Sequence, residues 1–159
     1  MIETEAKIEL KSHLDLDRIY RAIGMPKWNV QKNFIYDFQE GFLRIRYENN
    51  KAFITGKGRS IDGEFNKRPE IECEIPTEFF MAFSKLRNFL GKPFYYEKSR
   101  ASSNFNGCVI CLDNLKGRYF VEIEGEDESI KRNLHVLGLS GMTVERRSYL
   151  EILKHEKRK

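Results

Sequence analysis

Charged and apolar residues alternate along the first ten positions: Glu3, Glu5, Lys7 and Glu9 are interleaved with Ile2, Thr4, Ala6, Ile8 and Leu10. A period of two is β-strand geometry, with one ionic face and one mostly apolar face. On a single half-buried strand the ionic face simply meets water. Here the pattern returns along the chain, with the sign of charge sorted by stretch. Arg44 and Arg46 share a parity, as do Thr55 and Lys57, then Glu70, Glu72 and Glu74 after Arg68, then Lys98 and Arg100, then Glu122, Glu124 and Glu126. Where those faces point decides what the chain can fold into.

The 159 residues suit one domain, 1–159, with room for a real core or a medium barrel. A hydrophobic fraction of 40% with 33% charged residues is too polar for a membrane protein and too apolar for disorder. No apolar run reaches the roughly 18 residues of a spanning helix, and the acidic N-terminus is unlike a targeting peptide, so a cytoplasmic protein is expected. Cys73, Cys108 and Cys111 fit a reducing compartment, and the Cys108-x-x-Cys111 pair lacks the further ligands of a zinc site. The net charge of +4 draws on Lys154, Lys157, Arg158 and Lys159 at the C-terminus, and no nucleic-acid-binding module is present.

Four helices are predicted between the strands. Asp15 or Asp17 caps the first, whose apolar face is Leu16, Ile19, Tyr20 and Ile23 and whose stop is Gly24. Pro76-Thr77 opens a second, carrying Phe79, Phe80, Phe83, Leu86, Phe89 and Leu90. Asp127 caps a third, with Ile130, Leu134 and Leu137, and a fourth covers roughly 148–156. Strands are predicted at 28–37, 42–48, 51–58, 68–75, 92–101, 105–112 and 118–126. Asn49-Asn50 and Asn106-Gly107 are turn signals. Residues 59–65 read as a mobile loop and 113–117 as a turn.

With all ionic faces outward, the chain would be an open two-layer sandwich with a salted surface. That arrangement predicts mixed signs along each strand, and segregation argues against it. The alternative is α+β: an eight-stranded antiparallel closed β-barrel, a tunnel with a charged interior and helices packed outside. Clustered carboxylates and clustered arginines each repel unless something balances them. A hard divalent cation such as Mg²⁺ or Mn²⁺ suits the carboxylates, and a polyanion suits the guanidinium forks. A metal-bound triphosphate meets both demands.

Glu3-x-Glu5-x-Lys7 resembles the ExExK signature of the CYTH superfamily, the triphosphate tunnel metalloenzymes. Leu43-Arg44-Ile45-Arg46, Thr55-Gly56-Lys57, Arg68-x-Glu70-x-Glu72, Lys98-x-Arg100, Leu112-Asp113, Phe120 to Glu124 and Ser148-Tyr149-Leu150 follow in family order. The resemblance implies metal binding by Glu3, Glu5, Glu122 and Glu124, with Glu70 or Glu72 contributing. It implies phosphate binding by Lys7, Arg44, Arg46, Lys57, Arg68, Lys98 and Arg100, with Glu5 and Lys7 at the chemistry and Asp113 in support. The closest branch is that of the class IV adenylyl cyclases, which convert ATP to cyclic AMP and pyrophosphate. A triphosphatase acting on inorganic tripolyphosphate, thiamine triphosphate or a nucleoside triphosphate shares the charged set, and a non-catalytic polyphosphate-binding module is a third reading. The implied ligand is a small triphosphate, with neither nucleic acid nor membrane as partner, and the protein is a monomer or homodimer.

Overall fold

The computed structural model describes residues 1–85 and 91–156. Eight strands close into a barrel: β1 (Ile2–Leu10), β2 (Asn29–Phe38), β3 (Gly41–Glu48), β4 (Lys51–Gly58), β5 (Asn66–Ile75), β6 (Phe94–Phe105), β7 (Cys108–Leu115) and β8 (Arg118–Glu124). Around the ring the order is β1-β5-β4-β3-β2-β6-β7-β8, and every neighbouring pair is antiparallel, including β8 back to β1. Closure leaves no free sheet edge.

Three hairpins turn on two residues that both have positive φ: Asn49-Asn50 at 49° and 60°, Asn106-Gly107 at 46° and 77°, and Lys116-Gly117 at 53° and 84°. Turns of this hand match the right-handed twist of the flanking strands. Gly41 has φ 145° at the start of β3, and a side chain there would run into the Lys57 carbonyl oxygen of β4.

The outer wall is apolar. Ala6, Ile8 and Leu10 of β1 join Ile110 and Leu112 of β7 and Val121 and Ile123 of β8 in one buried cluster. Two helices cover it: α1 (His13–Ala22) through Ile19, and α3 (Asp127–Val136) through Ile130. Helix α2 (Thr77–Lys85) brings Phe80 onto Phe34 and Tyr47, with ring centroids at 5.4 and 5.3 Å. Of the apolar set predicted for this helix, Phe79 is 59% exposed, while Leu86, Phe89 and Leu90 and the Phe83 side chain lie outside the described residues. Helix α4 (Tyr149–Glu156) is different in kind. Its Tyr149, Leu150, Ile152 and Leu153 pack on Ile35, Tyr96, Leu115 and Phe120, which all face into the barrel near one end. It therefore stops that end. A capping box starts it, with Glu151 accepting from the Ser148 amide at 2.7 Å and its own amide facing Ser148 Oγ at 3.3 Å.

Several local expectations are corrected. Ser12, not Asp15 or Asp17, caps α1, because its hydroxyl accepts the Asp15 amide at 3.1 Å. Glu126 occupies the N-cap of α3, and Asp127 is spent on Lys67 at 2.8 Å. The predicted turn at 113–117 contracts to Lys116-Gly117, with Asn114 Oδ1 taking the Gly117 amide at 2.9 Å, so Asp113 sits inside β7. The strand predicted at 105–112 starts at Cys108, and the one predicted at 92–101 runs on to Phe105. The loop at 59–65 is anchored: Phe65 is 1% exposed in the main outer cluster, and Arg146 donates to the Gly63 and Glu64 carbonyls at 2.7 and 2.6 Å. Loop-like composition hid one core aromatic at its end. Phe65→Ala is expected to cost about 3–5 kcal/mol in chemical denaturation. Asp62→Ala in the same loop should stay within about 0.5 kcal/mol, and equal effects would contradict the anchoring.

Candidate functional site

The residues of one parity on each strand turn into the barrel, and cross-strand register sets what they meet. On β1 and β8, Glu5 lies opposite Glu124 and Lys7 opposite Glu122. On β1 and β5, Glu3 lies opposite Arg68, and on β5 and β4, Glu70 lies opposite Lys57 and Glu72 opposite Thr55. On β6 and β7, Arg100 lies opposite Asp113. The segregation of sign along the chain thus becomes segregation in space. An acidic arc runs over the adjacent strands β8, β1 and β5. A basic arc runs from β4 through β3 to β6, with the uncharged Gln31 and Asn33 of β2 between. The cavity they enclose has a volume of about 840 Å³, and every predicted ligand from Glu3 to Glu124 lines it.

Ion pairs join the two arcs and also form within the acidic one. Lys57 Nζ lies between Glu3 at 2.7 Å and Glu70 at 2.5 Å. Lys7 Nζ lies between Glu5 at 3.3 Å and Glu122 at 3.2 Å. Glu72 is drawn to the basic side, meeting Arg46 at 2.8 Å, Arg44 at 3.0 Å and the Thr55 hydroxyl at 2.5 Å. Arg100 grips Asp113 through Nε at 2.7 Å and also reaches Glu122. Arg68 carries no hydrogen bond or ion pair among the described residues and borders the cavity.

Beneath the cations lies a network that residue spacing could not show. Asp113 is fully buried and accepts from Lys98 at 2.8 Å and from the Tyr149 hydroxyl at 2.7 Å. The Tyr149 ring lies under two ammonium groups, Lys7 at 4.5 Å and Lys98 at 4.4 Å. Tyr149 enters only because α4 folds back into the barrel mouth, and its pairing with Leu150 in a short sequence block was the sole hint. Glu74 is about half exposed and bonds Lys51 at 2.9 Å, away from the cluster, whereas Glu126 borders the cavity from the start of α3.

The electrostatics follow from this packing. Burial alone would drive the Lys7 ammonium down, but Glu5 and Glu122 hold it well above the usual lysine value. Burial would raise Glu122, yet Arg100, Lys7 and Lys98 keep it well below the carboxylate range. Lys98 goes the other way: burial and the neighbouring Arg100 outweigh Asp113 and push it down to about 8. Glu3 is raised by burial and by its hydrogen bond with Glu70, against the pull of Lys57, and Glu124 is raised by burial and by Glu3. The acidic arc is thus short of positive charge while the basic arc is rich in it.

Among the described residues, no three carboxylate, imidazole or thiolate groups already converge on one point as an ion site. The donor set still fits a hard divalent cation. Glu3, Glu5, Glu122 and Glu124 offer oxygen only, on adjacent strands, and the raised Glu3 and Glu124 mark where carboxylates crowd. The thiols do not take part: Cys108 joins the outer apolar cluster, and Cys111, inside, lies opposite Glu122.

Comparison with known proteins agrees with this architecture. A conserved hypothetical protein from Pyrococcus furiosus superposes with a TM-score of 0.78 at 26% identity, over 94% of this chain and 98% of its own. A protein from Pyrococcus horikoshii OT3 gives 0.74 at 26% identity, over 97% and 99%. A Hippeastrum protein first assigned as an adenylyl cyclase, and described by its dominant triphosphatase activity, gives 0.72 at 20% identity over 97% and 96%. Among curated proteins, none matches. The CYTH domain family model matches residues 1–149, which takes in all eight strands and the charged interior, and the chain belongs to the CYTH family.

Proposed function

We propose that the protein is a divalent-metal-dependent enzyme that cleaves a phosphoanhydride bond of a small triphosphate. The observation that carries this is the division of the cavity wall into a carboxylate arc and a guanidinium and ammonium arc facing each other across about 840 Å³. A linear triphosphate presents oxygens to both sides along its length. Arg44, Arg46, Lys57, Arg68, Lys98 and Arg100 take the phosphate oxygens, with the arginine forks binding in pairs of hydrogen bonds. Glu72 and Asp113 hold those cations in place. Arg68 supplies a cation that no hydrogen-bond or ion-pair partner among the described residues engages.

Glu3, Glu5, Glu122 and Glu124, with Glu70 from β5, would hold the cation, Mg²⁺ or Mn²⁺. A cation held there would supply neutralisation of phosphoryl charge beside the oxygens that react. Lys7 stands between Glu5 and Glu122, where it can move from its carboxylates to a phosphate oxygen, and its raised pKa keeps it charged throughout. Helix α4 stops one end, so the chain of phosphates enters from the end bordered by Met1, Ile2 and Gly125.

Hydrolysis is the reaction this geometry supports best. Cyclisation of ATP also needs a base and ribose gripped beside the α-phosphate. The aromatic rings lining the cavity, Phe42, Tyr96 and Tyr149, are instead packed in the cluster with α4 at the stopped end. The cyclase reading is retained as second because the family blocks are spaced as in the class IV branch. The Hippeastrum neighbour, with its described triphosphatase activity, joins the two readings on one fold.

Product identity tests this. ATP, inorganic tripolyphosphate and thiamine triphosphate are each incubated with Mg²⁺, Mn²⁺ or chelator. Orthophosphate from at least one, only with metal, is expected; cyclic AMP with pyrophosphate would replace hydrolysis by cyclisation, and no product would leave a binding module. Glu5→Gln is expected to lower metal-dependent turnover about 100-fold with an unchanged circular dichroism spectrum, and undiminished turnover would remove Glu5 from the metal site. For pH dependence, Lys98 loses its proton as pH rises through about 8, so kcat/KM falls on the alkaline side. Lys98→Arg keeps the charge and should move that limb upward; an unmoved limb would assign it to another group.

A further inference from the structure

A second cleft lies outside the barrel, between α1 and the wall of β6, β7 and β8. Its volume is about 390 Å³, and it is bordered by Asp17 and Tyr20 of α1, Trp28, Ser99, Asn114 and Tyr119. That volume is within the range of small-molecule pockets. The aromatic rings form a connected set. Trp28 and Tyr119 have centroids 6.4 Å apart at an interplanar angle of 74°, and Tyr20 lies 6.3 Å from Trp28. The Tyr20 hydroxyl donates to the Pro26 carbonyl at 3.0 Å, which fixes one wall. All three aromatic residues are half-buried, so their rings are supported by the core and still reach the cleft.

The charge of the cleft is one-sided. Asp17 is exposed at its rim and makes neither hydrogen bond nor ion pair among the described residues. Arg18, next to it, turns away to Asp15 at 2.9 Å and to the Gly138 carbonyl at 3.3 Å. Among the described residues, no lysine or arginine borders the cleft. Ring faces attract cations through their quadrupole, and an unpaired carboxylate adds a full negative charge. Ser99 and Asn114, opposite one another on β6 and β7, supply neutral polar atoms on the third side.

We propose that this cleft binds a small organic cation of the quaternary or alkylated ammonium class, at a site separate from the triphosphate cavity. An apolar shell around the charge suits the rings, since a bare ammonium or metal ion would keep its water. The two sites share no lining residue. A ligand here can therefore be gained or lost without entering the charged barrel.

Trp28 is the only tryptophan in the chain, so tryptophan emission, excited selectively over the tyrosines, reports from this cleft. Choline is titrated against the whole protein, with 3,3-dimethylbutanol as its neutral isostere and sodium chloride as the ionic-strength control. A saturable change with choline that neither control reproduces is expected, weakened by about fivefold in Asp17→Asn. Triphosphate turnover should be unchanged in Asp17→Asn, which shows that the variant is folded and the sites are independent. Equal responses to choline and the neutral isostere, no saturation, or undiminished affinity in Asp17→Asn would each overturn the proposal.

Discussion

The compensation of buried charge inside a closed barrel is the constraint on which the rest of this structure depends. Removing carboxylates and ammonium groups from water costs several kcal/mol for each ion unless geometry returns it. Register supplies that geometry: Lys57 faces Glu70, Arg100 faces Asp113 and Lys7 faces Glu122 across neighbouring strands. Slipping any strand by one residue would turn its charges into the outer core and its aliphatics inward. The outer helices and the interior ions therefore specify the same register from opposite faces.

The compensation is uneven, and the unevenness is where function enters. Glu122 and Lys7 are held firmly in their charged forms, whereas Glu3 and Glu124 are raised by burial and by neighbouring carboxylates and Lys98 is lowered by burial beside Arg100. A wall that only had to be stable would have paired these groups evenly or replaced them with apolar ones. Surplus negative charge on one arc and surplus positive charge on the other are what a cation and a polyanion bound together would relieve.

Much of this was legible in the chain because strand periodicity carries it directly. The alternation of Glu3, Glu5 and Lys7, and its return at Glu122 and Glu124, needs only a period of two to place those groups on one face. The Asn49-Asn50 and Asn106-Gly107 turns were readable because few residues tolerate positive φ. What composition concealed depended on long-range return of the chain. Asp113 sits among turn-forming residues, yet Lys98, Arg100 and Tyr149 make it a strand residue at the base of the site. Tyr149 itself belongs to a helix whose destination, the mouth of the barrel, no local pattern encodes. Phe65 ends a polar loop and joins a core cluster that includes Ile130 and Leu137, far along the chain.

Under the proposed function, metal and polyanion occupy one compartment and strengthen each other's binding. Calorimetric titration of inorganic tripolyphosphate under conditions of negligible turnover, with Mn²⁺ and then with chelator, measures that coupling. Tighter tripolyphosphate binding with Mn²⁺ is expected and, by thermodynamic reciprocity, tighter Mn²⁺ binding with tripolyphosphate. Equal tripolyphosphate affinity in the presence and absence of metal would contradict it.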